Sequence, residues 1–165
     1  MTEPGPALHV CFVCTGNICR SPMAALVFEE QLRRADLAGA VRVTSAGTGS
    51  WHIGDPADPR AARTLADRGY PTHHVAAQVD ERHLDADLLV AMDTGHEHAL
   101  RRLLDRHGGD PDRVRLFRSF DPAANGDLDV PDPYYGVRDG FVEVLAMIEA
   151  GVPGLLDWVR HQLDS

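Results

Sequence analysis

Apolar positions in this chain fall into short solid runs separated by amphipathic stretches. Leu8 to Val13 (LHVCFV) is a nearly continuous apolar run, the pattern of a buried strand. Ala24, Leu26, Val27, Phe28 and Leu32 then recur at helical spacing and predict a helix to about Asp36. Ser21 is its expected N-cap, with Pro22 in the first helical position, where a missing N–H costs nothing. Val41 to Ala46 predicts a second strand, running into the glycine-rich loop GTGSWHIGDP. A helix follows from about Pro59 to Arg68 and stops at Gly69. Asp87 to Met92 is a third strand, Gly95 to His107 a helix closed by Gly108-Gly109, and Val114 to Phe117 a fourth short strand. After a loop rich in Asp and Pro comes a helical region from about Val137 to Leu163, with an interruption expected near Gly151–Pro153. Strands alternating with helices mean crossover connections. The fold class is therefore α/β, a parallel twisted sheet with helices on both faces. Ligands of such sheets bind beyond the carboxyl ends of the strands.

Composition narrows the setting. At 165 residues the chain is read as one domain spanning 1–165, with 1–7 expected to be flexible, and it can bury roughly two thirds of its unfolded surface. A net charge of −9 argues against a general nucleic-acid binder. No apolar stretch is long enough to span a bilayer, and the N-terminus (MTEPGPA) lacks the basic-then-apolar layout of a secretory signal. A cytoplasmic, thiol-reduced setting is expected, with export that uses no signal peptide left open. In that setting cysteines are reactive or metal-binding more often than they are cross-links. All 16 basic residues are arginines, which reads as genomic base bias rather than function.

The chain has 3 cysteines, all in or beside VCTGNICRSP, the stretch directly after the first strand. A structural zinc site would need about four ligands, and there is no second cysteine pair. His96 and His98, two apart on a predicted helix, point to different faces. Cys11 lies within the strand and reads as a small buried hydrophobe. Cys14 differs. Five residues separate it from Arg20, and the segment joins a strand to a helix N-terminus. A short loop there can turn its N–H groups inward around an anion, reinforced by the positive end of the helix. Gly16 supplies permissive dihedrals, and Arg20 a planar fork for two phosphate oxygens. The same field should lower the thiol pKa of Cys14 and give a thiolate at neutral pH. Ser21 can hydrogen-bond to that sulfur. A cysteine nucleophile in a phosphate cradle implies a phosphoenzyme, and an acid for the leaving oxygen helps that route. Asp-Pro occurs at 55, 58, 110, 121 and 132, and its ordinary meaning is a turn. Only Asp132 precedes an aromatic pair, Tyr134-Tyr135, which makes it the candidate acid. Those rings can wall a pocket for an aryl phosphate. Trp51 is either the opposite wall or a packing residue.

VCTGNICRSPMA, the loop TSAGTGSWHIGDPAD, AMD at 91–93 and DPYYG at 132–136 together resemble the low-molecular-weight protein tyrosine phosphatases, in a bacterial, actinobacterial-type form. The likeness runs through essentially the whole chain, in order. It implies a four-stranded parallel sheet with the phosphate-binding loop after its first strand, and hydrolysis of phosphotyrosine in proteins without metal or cofactor. It puts the nucleophile on Cys14, the phosphate clamp on Arg20 and the general acid on Asp132. Thr15, Gly16, Asn17, Ile18, Cys19 and Ser21 of the loop, with Trp51, Tyr134 and Tyr135, would meet the substrate. Asn17, Ser21 and Ser45 match the network that holds the loop, and His74 its histidine partner. The arginine usual after that histidine is replaced by Ala77. Cys19 matches a position that can form a reversible disulfide with the nucleophile. Tyr134 and Tyr135 match tyrosines that kinases phosphorylate in some members, so a tyrosine kinase is a second expected partner beside phosphotyrosine proteins. The other reading is that both only line the site.

Arsenate reductases share this fold and loop, but those coupled to thioredoxin use further cysteines in mid-chain, and none follows Cys19. Protein-arginine phosphatases are closer rivals. Those that resemble this chain carry threonine at the position of Ile18. Isoleucine there, with Trp51 and the tyrosine pair, favours an apolar cleft that accepts an aryl group.

Overall fold

The computed structural model describes residues 5–134 and 138–164. Among them the sheet has four strands, β1 (Leu8–Cys14), β2 (Val41–Gly47), β3 (Leu88–Ala91) and β4 (Val114–Leu116), all parallel and ordered β2-β1-β3-β4. The helices are α1 (Arg20–Arg34), α2 (Pro59–Asp67), the four-residue α3 (Glu81–Leu84), α4 (Thr94–Arg106) and α5 (Arg138–Leu163). Among the described residues no helix is long and apolar enough to cross a membrane.

Strand alternation divides the core into two. Val10, Phe12 and Cys14 of β1, with Leu88 and Val90 of β3, face α1 and α5; Cys11, Val13, Leu89 and Ala91 face α4. On the first face the Phe12 ring meets Phe28 of α1 edge-on at 5.6 Å and Phe117 at 6.3 Å. Cys11 and Cys14 therefore lie on opposite faces of one strand and cannot act as a pair. Cys11 is fully buried, and burial pushes its thiol up to about 12.

From β1 the chain crosses to β2 on one side, and β3 and β4 lie on the other. The carboxyl ends of β1 and β3 flank the point where the winding reverses, which is where α/β sheets open a crevice.

Three expectations need correction. Helix α1 starts at Arg20, with Cys19 at the N-cap, and Cys19 makes no side-chain cap. Ser21 lies inside the first turn because its hydroxyl is committed to Cys14 and Asn17. The short α3 escaped notice: four residues, capped by Asp80 and His83, are too few to show a period. The expected break near Gly151–Pro153 does not occur, and α5 runs through Pro153 unbroken. The glycines there serve packing. A Cβ on Gly154 would run into the carbonyl oxygen of Phe120, and one on Gly151 would stand 2.6 Å from the Phe117 ring. They let α5 lie against the turn at Phe117–Phe120.

Candidate active site

The loop from β1 to α1 is held from behind. Asn17 takes a left-handed conformation (φ 56°), which asparagine tolerates better than most residues, and it is fully buried. Its Nδ2 donates to Ser21 Oγ at 2.8 Å and Ser45 Oγ at 3.0 Å, while its Oδ1 accepts from the Ala77 amide at 2.9 Å. His74 Nε2 donates to the Asn17 carbonyl at 2.6 Å. Burial holds the His74 pKa below its ordinary value, so that ring is neutral at pH 7. The missing arginine at Ala77 leaves Asn17 anchored all the same, because the tie runs through the backbone. From the side, the amides of Thr48 and Gly49 donate to the carbonyls of Cys14 and Thr15 at 2.9 and 3.0 Å.

Within this frame Cys14 Sγ lies 2.9 Å from Ser21 Oγ at the base of a cleft of about 330 Å³. The first-turn N–H groups of α1, which Cys19 leaves without a side-chain cap, remain available to an anion. Arg20 is 3% exposed, and its Nη1 donates to Asp93 Oδ2 at 2.8 Å and to the Val130 carbonyl at 2.9 Å. Its Nη2 stands 3.6 Å from Asp132 Oδ2, and the other Asp132 oxygen accepts from the Tyr134 amide at 3.0 Å.

Asp93 ties the end of β3 to the loop. Its Oδ1 caps α4 through the His96 amide, while its Oδ2 holds Arg20. Burial alone would raise this carboxyl, but the His96 amide and the Arg20 guanidinium outweigh it and hold the pKa below the usual value. His96 is 4% exposed, and burial pushes it down to about 4 against the pull of Asp93. The neutral ring places Nε2 2.8 Å from Thr15 Oγ1; its Nδ1 lies 3.1 Å from Asp93 Oδ1 without hydrogen-bond alignment.

A sequence model of the low molecular weight phosphotyrosine protein phosphatase family matches residues 9–165. The chain belongs to this family. It is 57% identical over 164 residues to low molecular weight protein-tyrosine phosphatase A of Mycobacterium tuberculosis, covering 99% of this chain and 96% of that one. With the low molecular weight protein-tyrosine-phosphatase of Streptomyces coelicolor it shares 56% over 159 residues, covering 95% and 96%. The crystal structure of YfkJ from Bacillus subtilis superposes with a TM-score of 0.87 at 33% identity, covering 97% of this chain and 99% of that one. Members of this phosphatase family are enzymes with a cysteine nucleophile, and here Cys14 closes β1.

Most residues expected at the phosphatase site do come together. Thr15, Gly16, Ile18, Cys19, Trp51 and Tyr134 line the cleft with Cys14, Arg20 and Asp132. Asn17 and Ser21, grouped with the substrate-contacting residues, instead put their side chains behind the loop, beside Ser45 and His74. Tyr135 lies outside the described residues. Trp51 is 74% exposed, with its ring laid over Gly49 so that a Cβ there would enter it. Burial raises the Cys19 thiol above its ordinary value. His52, Asp93 and His96 were missed. His52 also lines the cleft and rests on Gly16, whose Cβ would stand 3.0 Å from the ring. The sequence did carry a signal for Asp93, the family-like AMD, but nothing in it told a helix cap from an arginine anchor.

Proposed function

We propose that this chain dephosphorylates phosphotyrosine in proteins, with Cys14 as nucleophile, Arg20 as phosphate clamp and Asp132 as general acid. The Cys14 thiolate attacks phosphorus in line, and the S–P bond forms as the bond to the phenolic oxygen breaks. The Asp132 carboxyl gives its proton to that oxygen. Asp132, now a carboxylate, takes a proton from the water that attacks the phosphocysteine, releasing inorganic phosphate and the thiolate. Ser21 Oγ donates to the sulfur when it carries charge, which makes it a better leaving group in the second step. Loop amides and Arg20 hold the equatorial oxygens, where charge spreads in the transition state.

The observation that carries this reading is the convergence of Cys14, Arg20 and Asp132 on one cleft, with Nη2 of Arg20 3.6 Å from the Asp132 carboxylate. Trp51 and Tyr134 supply aromatic walls, and Ile18 an apolar floor, for a phenyl ring. Reversible protection of Cys14 by a disulfide to Cys19 belongs to the same reading, as does a cytoplasmic setting for both thiols. Phosphotyrosine proteins are the substrates, and a tyrosine kinase that reaches Tyr134, 39% exposed at the mouth, is the second partner. The test compares kcat/KM on one peptide carrying phosphotyrosine, phosphoserine or phosphoarginine. Preference for phosphotyrosine by about a hundredfold or more is expected, since the acid and the ring walls both act on the aryl ester. Equal or better turnover of phosphoarginine overturns the substrate, and undiminished activity of Cys14→Ser overturns the nucleophile.

A further inference from the structure

Asp132 sits on an exposed stretch just past the points where its loop is fastened, Arg118 holding the Asp127 and Asp129 carbonyls and Met92 the Val130 amide, yet a general acid must stand within hydrogen-bond reach of the leaving oxygen. Among the described residues, the polar contacts it makes are with the Tyr134 amide and the more distant Arg20. The position of the acid thus depends on where Tyr134 rests. Under the Tyr134 ring, 5.4 Å from its centroid, lies the guanidinium of Arg60, the second residue of α2. The same guanidinium lies 4.8 Å from the centroid of Phe141, a fully buried ring of α5.

Arg60 is itself clamped. Its Nε and Nη2 donate to the two oxygens of Asp58 at 3.1 and 3.0 Å, a fork-to-fork pair that fixes the plane of the guanidinium. The Asp58 side chain is almost wholly buried, it caps α2 through the Arg60 amide, and its own amide donates to the Ile18 carbonyl of the phosphate loop at 2.8 Å. An unbroken chain of contacts therefore leads from the phosphate loop through Asp58 and Arg60 to Tyr134, and through the Tyr134 amide to the acid. Neither lysine nor a neutral stem could replace that plane, because the stacking and the paired donors both come from the flat guanidinium.

We infer that Arg60 is a positioning residue for the general acid: locked to Asp58 beside the phosphate loop and stacked beneath Tyr134, it sets where the Asp132 carboxyl stands over the cleft. The inference rests on the assignment of Asp132 as the acid, and the experiment separates the two. In it, kcat/KM, which reports formation of the phosphocysteine, is measured for 4-nitrophenyl phosphate, phenyl phosphate and phosphotyrosine. The nitrophenolate leaves well unaided; phenolate and tyrosinate, with conjugate acids near pKa ~10, need the proton. Arg60→Met should lose about tenfold on phenyl phosphate and phosphotyrosine and no more than about threefold on 4-nitrophenyl phosphate, with inhibition by inorganic phosphate unchanged. Arg60→Lys should fall between Arg60→Met and wild type, and it carries the comparison if Arg60→Met does not fold. Asp132→Asn, run in parallel, should show the same dependence on leaving group more strongly. If Asp132→Asn slows all three esters equally, the acid assignment fails and the inference goes with it. If Asp132→Asn discriminates but the Arg60 variants slow all three alike or none, Arg60 is structural only and the inference is overturned.

Discussion

Gly47, the last residue of β2, presses against the phosphate loop so closely that the site depends on its lack of a side chain. A Cβ built there would stand 2.6 Å from the Thr15 carbonyl oxygen and 3.2 Å from both the Asn17 nitrogen and the Gly16 carbonyl carbon. All three are backbone atoms of the loop, so no side chain can swing aside. Bringing the first contact out to the 3.4 Å where ordinary van der Waals contact begins requires the Thr15 carbonyl to retreat by about 0.8 Å. β2 cannot easily give way instead. It pairs with β1 along its whole length, and the Gly47 amide and carbonyl are bonded to Ala77 and Val79 at 2.8 Å each. The displacement therefore falls on the loop that must bind phosphate. A misplacement of about 1 Å costs on the order of a hundredfold in rate. Gly47→Ala should accordingly lower kcat/KM on an aryl phosphate by about 10²-fold and weaken inhibition by inorganic phosphate, while overpacking costs about 1–3 kcal/mol of stability. Gly39→Ala is the control, because a Cβ there meets nothing within 4 Å. Should Gly47→Ala keep kcat/KM within threefold of Gly39→Ala in folded protein, the close approach does not shape the site.

Two further outcomes follow from the packing and from the buried histidine. Gly154→Ala should destabilise the protein, lowering the urea midpoint, because its Cβ enters the Phe120 carbonyl; helix propensity alone predicts a gain of roughly 1 kcal/mol, so a raised midpoint would refute the packing argument. His96, carried from an ordinary 6.5 down to about 4, favours the unfolded state once the solvent can protonate it. The unfolded chain then binds more protons between these values, so stability is intact above about pH 6.5 and falls by about 3 kcal/mol as pH drops towards 4. The sign is opposite to that of a histidine gaining a carboxylate partner, since Asp93 is outweighed by burial and by Arg20. Urea midpoints between pH 7 and 4.5 measure it; His96→Asn should flatten the profile, and an equally steep one in that variant would assign the loss to other groups.

The phosphate loop was legible because its parts are contiguous. Cys14, Gly16, Arg20 and Ser21 fall within one strand-to-helix connection, where spacing along the chain fixes spacing in space. Asp132, the candidate acid, stood out only through the aromatic pair behind it, since Asp-Pro alone means a turn. The break expected in α5 misread Gly151 because a glycine kept small for a neighbouring ring and a glycine that ends a helix look alike until the neighbour is known. Ser21 was misread for a related reason: a serine ahead of a helical pattern announces a cap, and nothing local says that its hydroxyl is already engaged by Cys14 and Asn17.

Asp58 and Asp93 explain why the supporting residues stayed hidden. Each announces a helix start, and each does cap one: Asp58 binds the Arg60 amide at the head of α2, and Asp93 the His96 amide at the head of α4. A carboxylate has two oxygens, and a cap needs one. In Asp93 the second oxygen holds Arg20 in the phosphate cleft; in Asp58 it completes the clamp on Arg60 beneath Tyr134. The helix starts are thus where the site is fastened to the sheet. Caps that a short polar residue such as serine could fill are filled by aspartate, because only a carboxylate can serve the amide and the guanidinium together. On this argument Asp93→Ser keeps α4 capped and costs little stability, yet it frees Arg20 and lowers turnover. Turnover equal to wild type would mean that Val130 alone suffices to hold the arginine.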